Sequence, residues 1–553
     1  MMQTIRSALR FLSREATLIS AVAFGSALRL DQIRGQIILE DEWNALHVIL
    51  QHGYGYCLTH LGRFDYCIPL AVYYKFIAGT IGLSEMWMRA PVLLAGIGSI
   101  VIWPLLLRGF VSRGASDGFA WLLAVSPLHV YFSRLARPYS VAMLLVFLAG
   151  LAFLAWWRTG SRRWKWIYAF CAILAPYFHL TALLPSLVPM ILALIELPWR
   201  RIRKEKAHRS PSATLRLSLW IALGLFLTVG IPMVVDRAKL AHKTGRGYPD
   251  WATITGAWEL LVGTHWRSLW IALASLAVMG LIVAIRRHPR LSLFLGVQAA
   301  VAPLLVLATR PVLSEWPMIF ARYCCIGLPF LLLMIALGLS SLIERAGRLP
   351  PCLCGVIYAF TASALFFAGP LPKIHAHPNN WTNHLVFQYS YGRARLDYRC
   401  EGKIPEFYLQ LAQEPPGSVK ILEAPWWYYG TESVPLPCYQ RVHRQHVSIG
   451  FVEGPDGAMS EGGLPRLGEL PVLTKKHSFV FRNFIHVSDQ AKIQRRGIRY
   501  VVFHRKIDEE MARLLGNLHI DVSRWIQDYR LLYGRAVYKD RWLVVFDVRR
   551  TKH

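Results

Sequence analysis

Eleven apolar runs, parted by polar or charged connections, occupy the first two thirds of the chain. They lie near residues 16–30, 86–107, 116–132, 139–157, 165–178, 181–198, 214–235, 268–285, 291–309, 322–343 and 352–370. Roughly 30 Å of hydrocarbon takes about 20 apolar residues to cross as a helix, so the pattern predicts a polytopic α-helical membrane protein with about eleven transmembrane helices. The first and fifth runs are short. No segment near Met1 has the short apolar core and small-residue cleavage site of a secretory signal, so the first run is expected to stay as a span.

From Pro372 onward no such run exists. Val419–Leu422, Arg499–Phe503 and Trp542–Phe546 read as strands, and Asp508–Leu515 reads as a helix. The expected organisation is a transmembrane domain over 1–371, with a first loop at 31–85, and a soluble α+β domain over 372–553.

Charge orients this arrangement. Arg6, Arg10 and Arg14, Arg108 and Arg113, the group Arg158–Lys165, the run from Trp199, Arg286–Arg290, and Arg345 with Arg348 all fall on one side of the alternating connections. That side is the cytoplasm by the positive-inside rule. An odd number of spans then puts the C-terminal domain in the periplasm, with the chain in a bacterial inner membrane. The net charge of +29 would suggest nucleic acid in a soluble protein, but with 54% hydrophobic and 17% charged residues it reads as topology, and no nucleic acid is expected.

Nine cysteines are present. Cys57 and Cys67 share the first outside loop, and Cys400 and Cys438 share the outside domain. Each pair is open to two readings, a disulfide in an oxidising compartment or free buried thiols. No metal-ligand spacing emerges, no cofactor is firmly implied, and a divalent metal stays open.

The candidate chemistry gathers in the outside connections. Asp41 and Glu42 follow the first span. Pro69-Leu70 with Tyr73-Tyr74 comes next, then Gly82-Leu-Ser-Glu-x-Trp-x-x-Arg-x-Pro91 at the second span. Ser133-Arg-Leu-Ala-Arg-Pro-Tyr139 follows the third, Tyr177-Phe-His179 the fifth, and Ala321-Arg-Tyr323 leads to Leu328-Pro329. Together, over roughly residues 15–370, these resemble the membrane-embedded GT-C glycosyltransferases, in the family of protein O-mannosyltransferases and lipid A aminoarabinose transferases. The resemblance implies a sugar taken from a polyprenyl-phosphate donor and passed to a lipid, glycan or protein acceptor outside the cytoplasm.

Elementary chemistry fits that role. Inverting transfer needs one base for the acceptor hydroxyl, while a phosphate leaving group needs charge stabilisation more than a proton. The resemblance makes Asp41 the base and Glu42 its alternate or support. Arg63, Arg137, Tyr139, His179, Arg322 and Tyr323 are the candidate substrate-binding residues, because guanidinium forks suit phosphate oxygens and imidazole can hydrogen-bond phosphate or sugar. Against each stands a plain reading: a solvated helix end, a lipid-headgroup arginine or a satisfied histidine. Lys243 and Arg246 are secondary candidates for phosphate. Trp426–Tyr429 could stack on a sugar or pack as core.

The chain also departs from its relatives. Arg137-Pro-Tyr139 stands where some carry a second acidic residue, which disfavours a two-carboxylate or metal-dependent variant. Trp43-Asn44 and Asp65–Ile68 stand where aminoarabinose transferases carry Arg-Tyr and a Lys. The chain has no Asp-x-Asp, which favours a lipid-linked over a nucleotide-sugar donor. Two rival classes are a lipid or solute transporter of flippase type, disfavoured by the lack of repeated halves, and a membrane-anchored binding protein.

Overall fold

The structure is a computed structural model. It describes residues 2–372, 404–424, 436–447, 487, 490–505 and 522–549, apart from short breaks at 32, 37, 39–41, 50–51, 62–66, 203–209, 246, 288 and 348–349. The helices of the N-terminal part run, in order, α1 (Met2–Leu30), α2 (Glu42–Ile49), α3 (Tyr54–Thr59), α4 (Ile68–Thr80), α5 (Glu85–Leu107), α6 (Arg113–Val125), α7 (Pro127–Arg134) and α8 (Tyr139–Thr159). They continue with α9 (Arg162–Phe178), α10 (Leu183–Ile202), α11 (Pro211–Leu225), α12 (Ile231–Val235), α13 (Arg237–His242), α14 (Trp251–Val262), α15 (Arg267–Arg287), α16 (Pro289–Thr309), α17 (Pro317–Cys324), α18 (Leu328–Arg345) and α19 (Pro351–Ala368).

Each of the eleven apolar runs lies on helix. Six described helical segments are long and apolar enough to cross a membrane: 85–107, 139–159, 211–235, 267–287, 289–309 and 317–345. The apolar helices at 180–196 and 353–368 are shorter. One expected span, 116–132, is two helices. Pro127 disfavours helical backbone at Ser126, which is extended, and α7 restarts with the proline in its first turn. The other expected outside connections also carry short helices, α2 to α4 in the first loop and α14 in the fourth.

The bundle has a centre and a rim. Segment 317–345 is 83% buried within the protein and α8 72%, against 17% for 211–235. A rim helix whose apolar side chains face outward has lipid as its solvent. Helices α15 and α18 approach closely through glycine: a Cβ on Gly280 would run into the Met334 carbonyl oxygen, and one on Gly338 into that of Leu276. At the basic end, the arginines are partly paired. Glu15 meets Arg108 at 2.7 Å and Arg113 at 3.0 Å, Asp117 meets Arg108 at 3.1 Å, and Glu344 meets Arg287 at 2.8 Å.

At the other end two buried arginines cap helix ends reciprocally. Arg29 of α1 donates to the carbonyls of Leu123 (3.0 Å) and Ala124 (3.2 Å) at the end of α6, and its Nη2 lies 2.6 Å from His129 Nδ1. Arg134 of α7 donates to Leu28, Arg29 and Asp31 at the end of α1, at 3.0, 3.0 and 2.7 Å. The last carbonyls of a helix lack internal partners, and a guanidinium supplies several donors to them at once.

The described C-terminal part has α20 (Glu406–Leu411), β1 (Lys420–Ala424), α21 (Leu436–His443), β2 (His446–Val447), α22 (Gln490–Arg495), β3 (Tyr500–His504), α23 (Val522–Tyr533), β4 (Tyr538–Lys539) and β5 (Leu543–Asp547). Its five-stranded sheet has the order β2-β1-β3-β5-β4, parallel across β2, β1 and β3 and antiparallel from there. Successive side chains of β3 enter different clusters: Val501 and Phe503 pack with Tyr529 of α23, and Val502 packs with Tyr408 of α20. Helices therefore cover both faces, which is why the three expected strands read as unbroken apolar runs. Helix Asp508–Leu515, Cys400, Trp426–Tyr429 and the side chain of Cys438 lie outside the described residues.

Candidate functional site

Four of the sequence motifs meet at one peptide unit. The N–H of Ala136 donates to Glu42 Oε1 at 2.6 Å, and the Ala136 carbonyl accepts from Tyr74 OH at 2.9 Å. Glu42, the first residue of α2, also pairs with Arg89 of α5 at 3.5 Å, and both side chains are fully buried. A buried carboxylate needs this company, because desolvation leaves an unpaired charge several kcal/mol unstable. Arg89 in turn donates to the Gln36 carbonyl at 2.6 Å, and Gln36 exchanges side-chain hydrogen bonds with Arg134 at 3.2 and 3.3 Å. One buried polar chain thus runs from the end of α1 to the turn between α7 and α8.

That turn carries the next candidates. Arg137 is 5% exposed and its N–H donates to Leu135 at 2.6 Å, while Tyr139 begins α8 and packs between Phe132 (4.5 Å) and His179 (4.9 Å). His179 lies in the connection after α9. Its Nδ1 lies 2.7 Å from Thr181 Oγ1 and accepts from Thr181 N–H at 3.4 Å, so the neutral ring carries its proton on Nε2. Burial, then Arg137 and Arg322, push its pKa down to about 3, so the imidazole is a neutral donor. Arg322, on α17, lies over the ring of Tyr323, with 5.6 Å from Cζ to the centroid.

The structure therefore brings Glu42, Arg137, Tyr139, His179 and Arg322 into one neighbourhood. Tyr323 flanks it and packs against the main core. Asp41, Arg63 and Arg246 lie outside the described residues. Lys243 is set by its backbone, which accepts from Val312 N–H at 3.0 Å. The loop it joins holds Arg310 and Leu313 at φ of 44° and 64°, conformations that L-residues seldom adopt. Cys57 and Cys67 are buried free thiols, and burial pushes Cys67 up to about 12. Among the described residues no group of three His, Cys, Asp or Glu side chains could hold a metal ion.

Gln36 and the clamping roles of Tyr74 and Arg89 were not foreseen from sequence. The available signal was a lone cation inside an apolar segment. Such a group needs a named partner, and that holds for Arg29, Arg89 and Arg134 alike.

This bundle, with the helices of its first loop packed against the ends of the spans and a small α+β part following, has the GT-C fold of membrane-embedded glycosyltransferases, and the chain is a multi-pass membrane protein. It is similar to the crystal structure of ArnT from Cupriavidus metallidurans in the apo state at a TM-score of 0.51 and 14% identity, covering 98% of both chains. Against the same enzyme bound to undecaprenyl phosphate the TM-score is 0.51 and the identity 13%, over 97% of this chain and 98% of the other. No protein-family model and no curated protein matches the sequence.

Proposed function

We propose that the chain transfers a sugar from a polyprenyl-phosphate donor to an acceptor outside the cytoplasm, with inversion at the anomeric carbon. The convergence of Arg137, His179 and Arg322 at one end of the bundle supports this reading, together with the clamped Glu42, which Asp41 precedes in the sequence. The undecaprenyl phosphate named in the ArnT structure is a lipid of the same class.

In this reading the acceptor oxygen attacks the anomeric carbon as the bond to the phosphate oxygen breaks. The acceptor proton passes to the Asp41 carboxylate. Polyprenyl phosphate leaves with the bonding pair, and Arg137, Arg322 and the Nε2–H of His179 stabilise its growing negative charge. In this reading Glu42 supports the turn, its Oε1 meeting the Ala136 N–H and Arg89, and leaves the base role to Asp41. By the positive-inside rule this reading has the N-terminus on the cytoplasmic side of a bacterial inner membrane and the domain at 372–553 outside.

The test is lipid-linked sugar transfer by the purified protein in nanodiscs, with mass spectrometry of co-purified lipid. A polyprenyl phosphate or its glycoside should accompany the protein, and Asp41→Asn should lower kcat by about 10²–10⁴-fold, the usual contribution of a general base. Full activity in Asp41→Asn removes Asp41 as base, and co-purification of bulk phospholipid alone counts against the donor class.

A further inference from the structure

Helix α23 is amphipathic, and its inner face is complete. Val522, Tyr529 and Tyr533 are buried in the core on one side of the sheet, with Trp525 and Ile526 packed against it. The end of the helix adds apolar surface that this core does not use. Leu531 is 78% exposed, the most exposed large apolar side chain among the described residues, and Leu532 and Val537 are 46% and 43% exposed. The three flank the sharp turn at Gly534, which has φ of 81° and donates its N–H to Arg530 at 3.0 Å. They therefore form one continuous tip.

Exposure of this size elsewhere falls on the membrane part: Phe360 and Phe367 at 75% on α19, and Trp251 at 76% at the start of α14. In the soluble part it is concentrated here, for the other large apolar side chain above the same threshold, Leu409, reaches only 40%. The tip is also basic. Exposed Arg530, Arg535 and Lys539 alternate with the leucines and the valine, against Asp528 alone over residues 527–539. Apolar side chains set among free cations are the composition of a surface that lies on anionic lipid headgroups.

Connectivity adds a second argument. Helix α19 ends at Ala368 and the described soluble part starts at Ile404. The intervening segment spans at most about 120 Å even fully extended. The tip is therefore held at high effective concentration over its own membrane, where weak contacts suffice for docking.

We propose that the Leu531–Val537 tip docks the soluble domain on the membrane surface, with the leucines in the headgroup–acyl boundary and Arg530 and Arg535 on anionic lipid phosphates. This is independent of the transfer reaction proposed above and of which side the domain occupies. Docking holds the domain on the plane in which a membrane-bound substrate would lie.

The test uses the full chain in nanodiscs, with an environment-sensitive fluorescent amino acid at position 531. Nanodiscs are made of phosphatidylcholine alone or with phosphatidylglycerol, each with plain or brominated acyl chains. Brominated lipid should quench the probe in the anionic nanodiscs, and high salt should relieve the quenching. Each arginine near such a surface contributes ~1 kcal/mol, so Arg530→Gln with Arg535→Gln should lower the docked-to-free ratio about thirtyfold. Both variant side chains are solvent-facing, so the fold is retained, and sugar transfer without the probe reports the state of the bundle separately. Equal emission over plain and brominated lipid overturns the proposal. So does energy transfer between two labelled copies without lipid quenching, which would make the tip a contact between chains.

Discussion

The Glu42 carboxylate and the Ala136 N–H, 94 residues apart in the chain, meet at 2.6 Å. This bond fastens the first loop to the turn that carries Arg137, and Arg89 supplies the counter-charge at 3.5 Å. In the proposed reaction the two adjacent carboxylates have separate duties, Glu42 holding the turn and Asp41 reacting.

Glu42→Ala should accordingly lose fold stability. It strands the buried Arg89 guanidinium and the Ala136 donor, a change that costs about 3–5 kcal/mol. Asp41→Asn should melt like the parent. Thermal unfolding in detergent separates the two, and a parental melting temperature for Glu42→Ala would disprove the clamp.

His179 should act without titrating. Its pKa of about 3 keeps the ring neutral between pH 5 and 8, so no limb of the pH–rate profile in that range belongs to it. His179→Ala should lower transfer by about 5–30-fold, the effect of losing one or two kcal/mol of hydrogen bonding, and leave the shape of the profile unchanged. A limb near pH 6.5 that vanishes in the variant would show that the ring ionises.

Overpacking tests the α15–α18 crossing. Gly280→Ala or Gly338→Ala puts a methyl group against a backbone carbonyl of the facing helix, and should destabilise by about 1–3 kcal/mol. Gly79→Ala, at a position open to space, is the matched control. Equal melting of all three would mean that the helices stand further apart.

The C-terminal α+β part should weaken in acid. Burial pushes His443 down to about 3, while in the unfolded chain it protonates near 6.5. Between those values the unfolded state binds the extra proton, so stability falls as pH falls, by about 1.4 kcal/mol per unit for this group. Hydrogen exchange of β1 and β3 against pH reads this slope, and His443→Gln should flatten it. An unchanged slope would assign the acid sensitivity elsewhere.

The spans were legible because membrane helices need only length and apolarity, and each of the eleven runs is helix. The break at Ser126 was also written in the sequence, in Pro127, but the 116–132 run looks continuous when apolarity alone is followed. Residues of the site were recognisable by type, for Arg137, His179 and Arg322 are polar groups at span ends. Their partners were not. Glu42 with Arg89, and Tyr74 with Ala136, join residues 47 and 62 positions apart, and no local periodicity encodes a contact at that separation. In the C-terminal part, β1, β3 and β5 could be read as strands because both of their faces are buried, while the two-residue β2 and β4 are too short to show a pattern.

The reciprocal capping of α1 and α7 bears on biogenesis. When α1 first leaves the ribosome, the carbonyls that receive Arg29 lie about 95 residues behind it in synthesis. Until α6 and α7 arrive, Arg29 has of its final acceptors only the Gly25 carbonyl of its own helix, and the last carbonyls of α1 await Arg134. The first span therefore settles in its final position only when the third segment has entered, so the amino-terminal quarter of the chain matures as one cooperative unit.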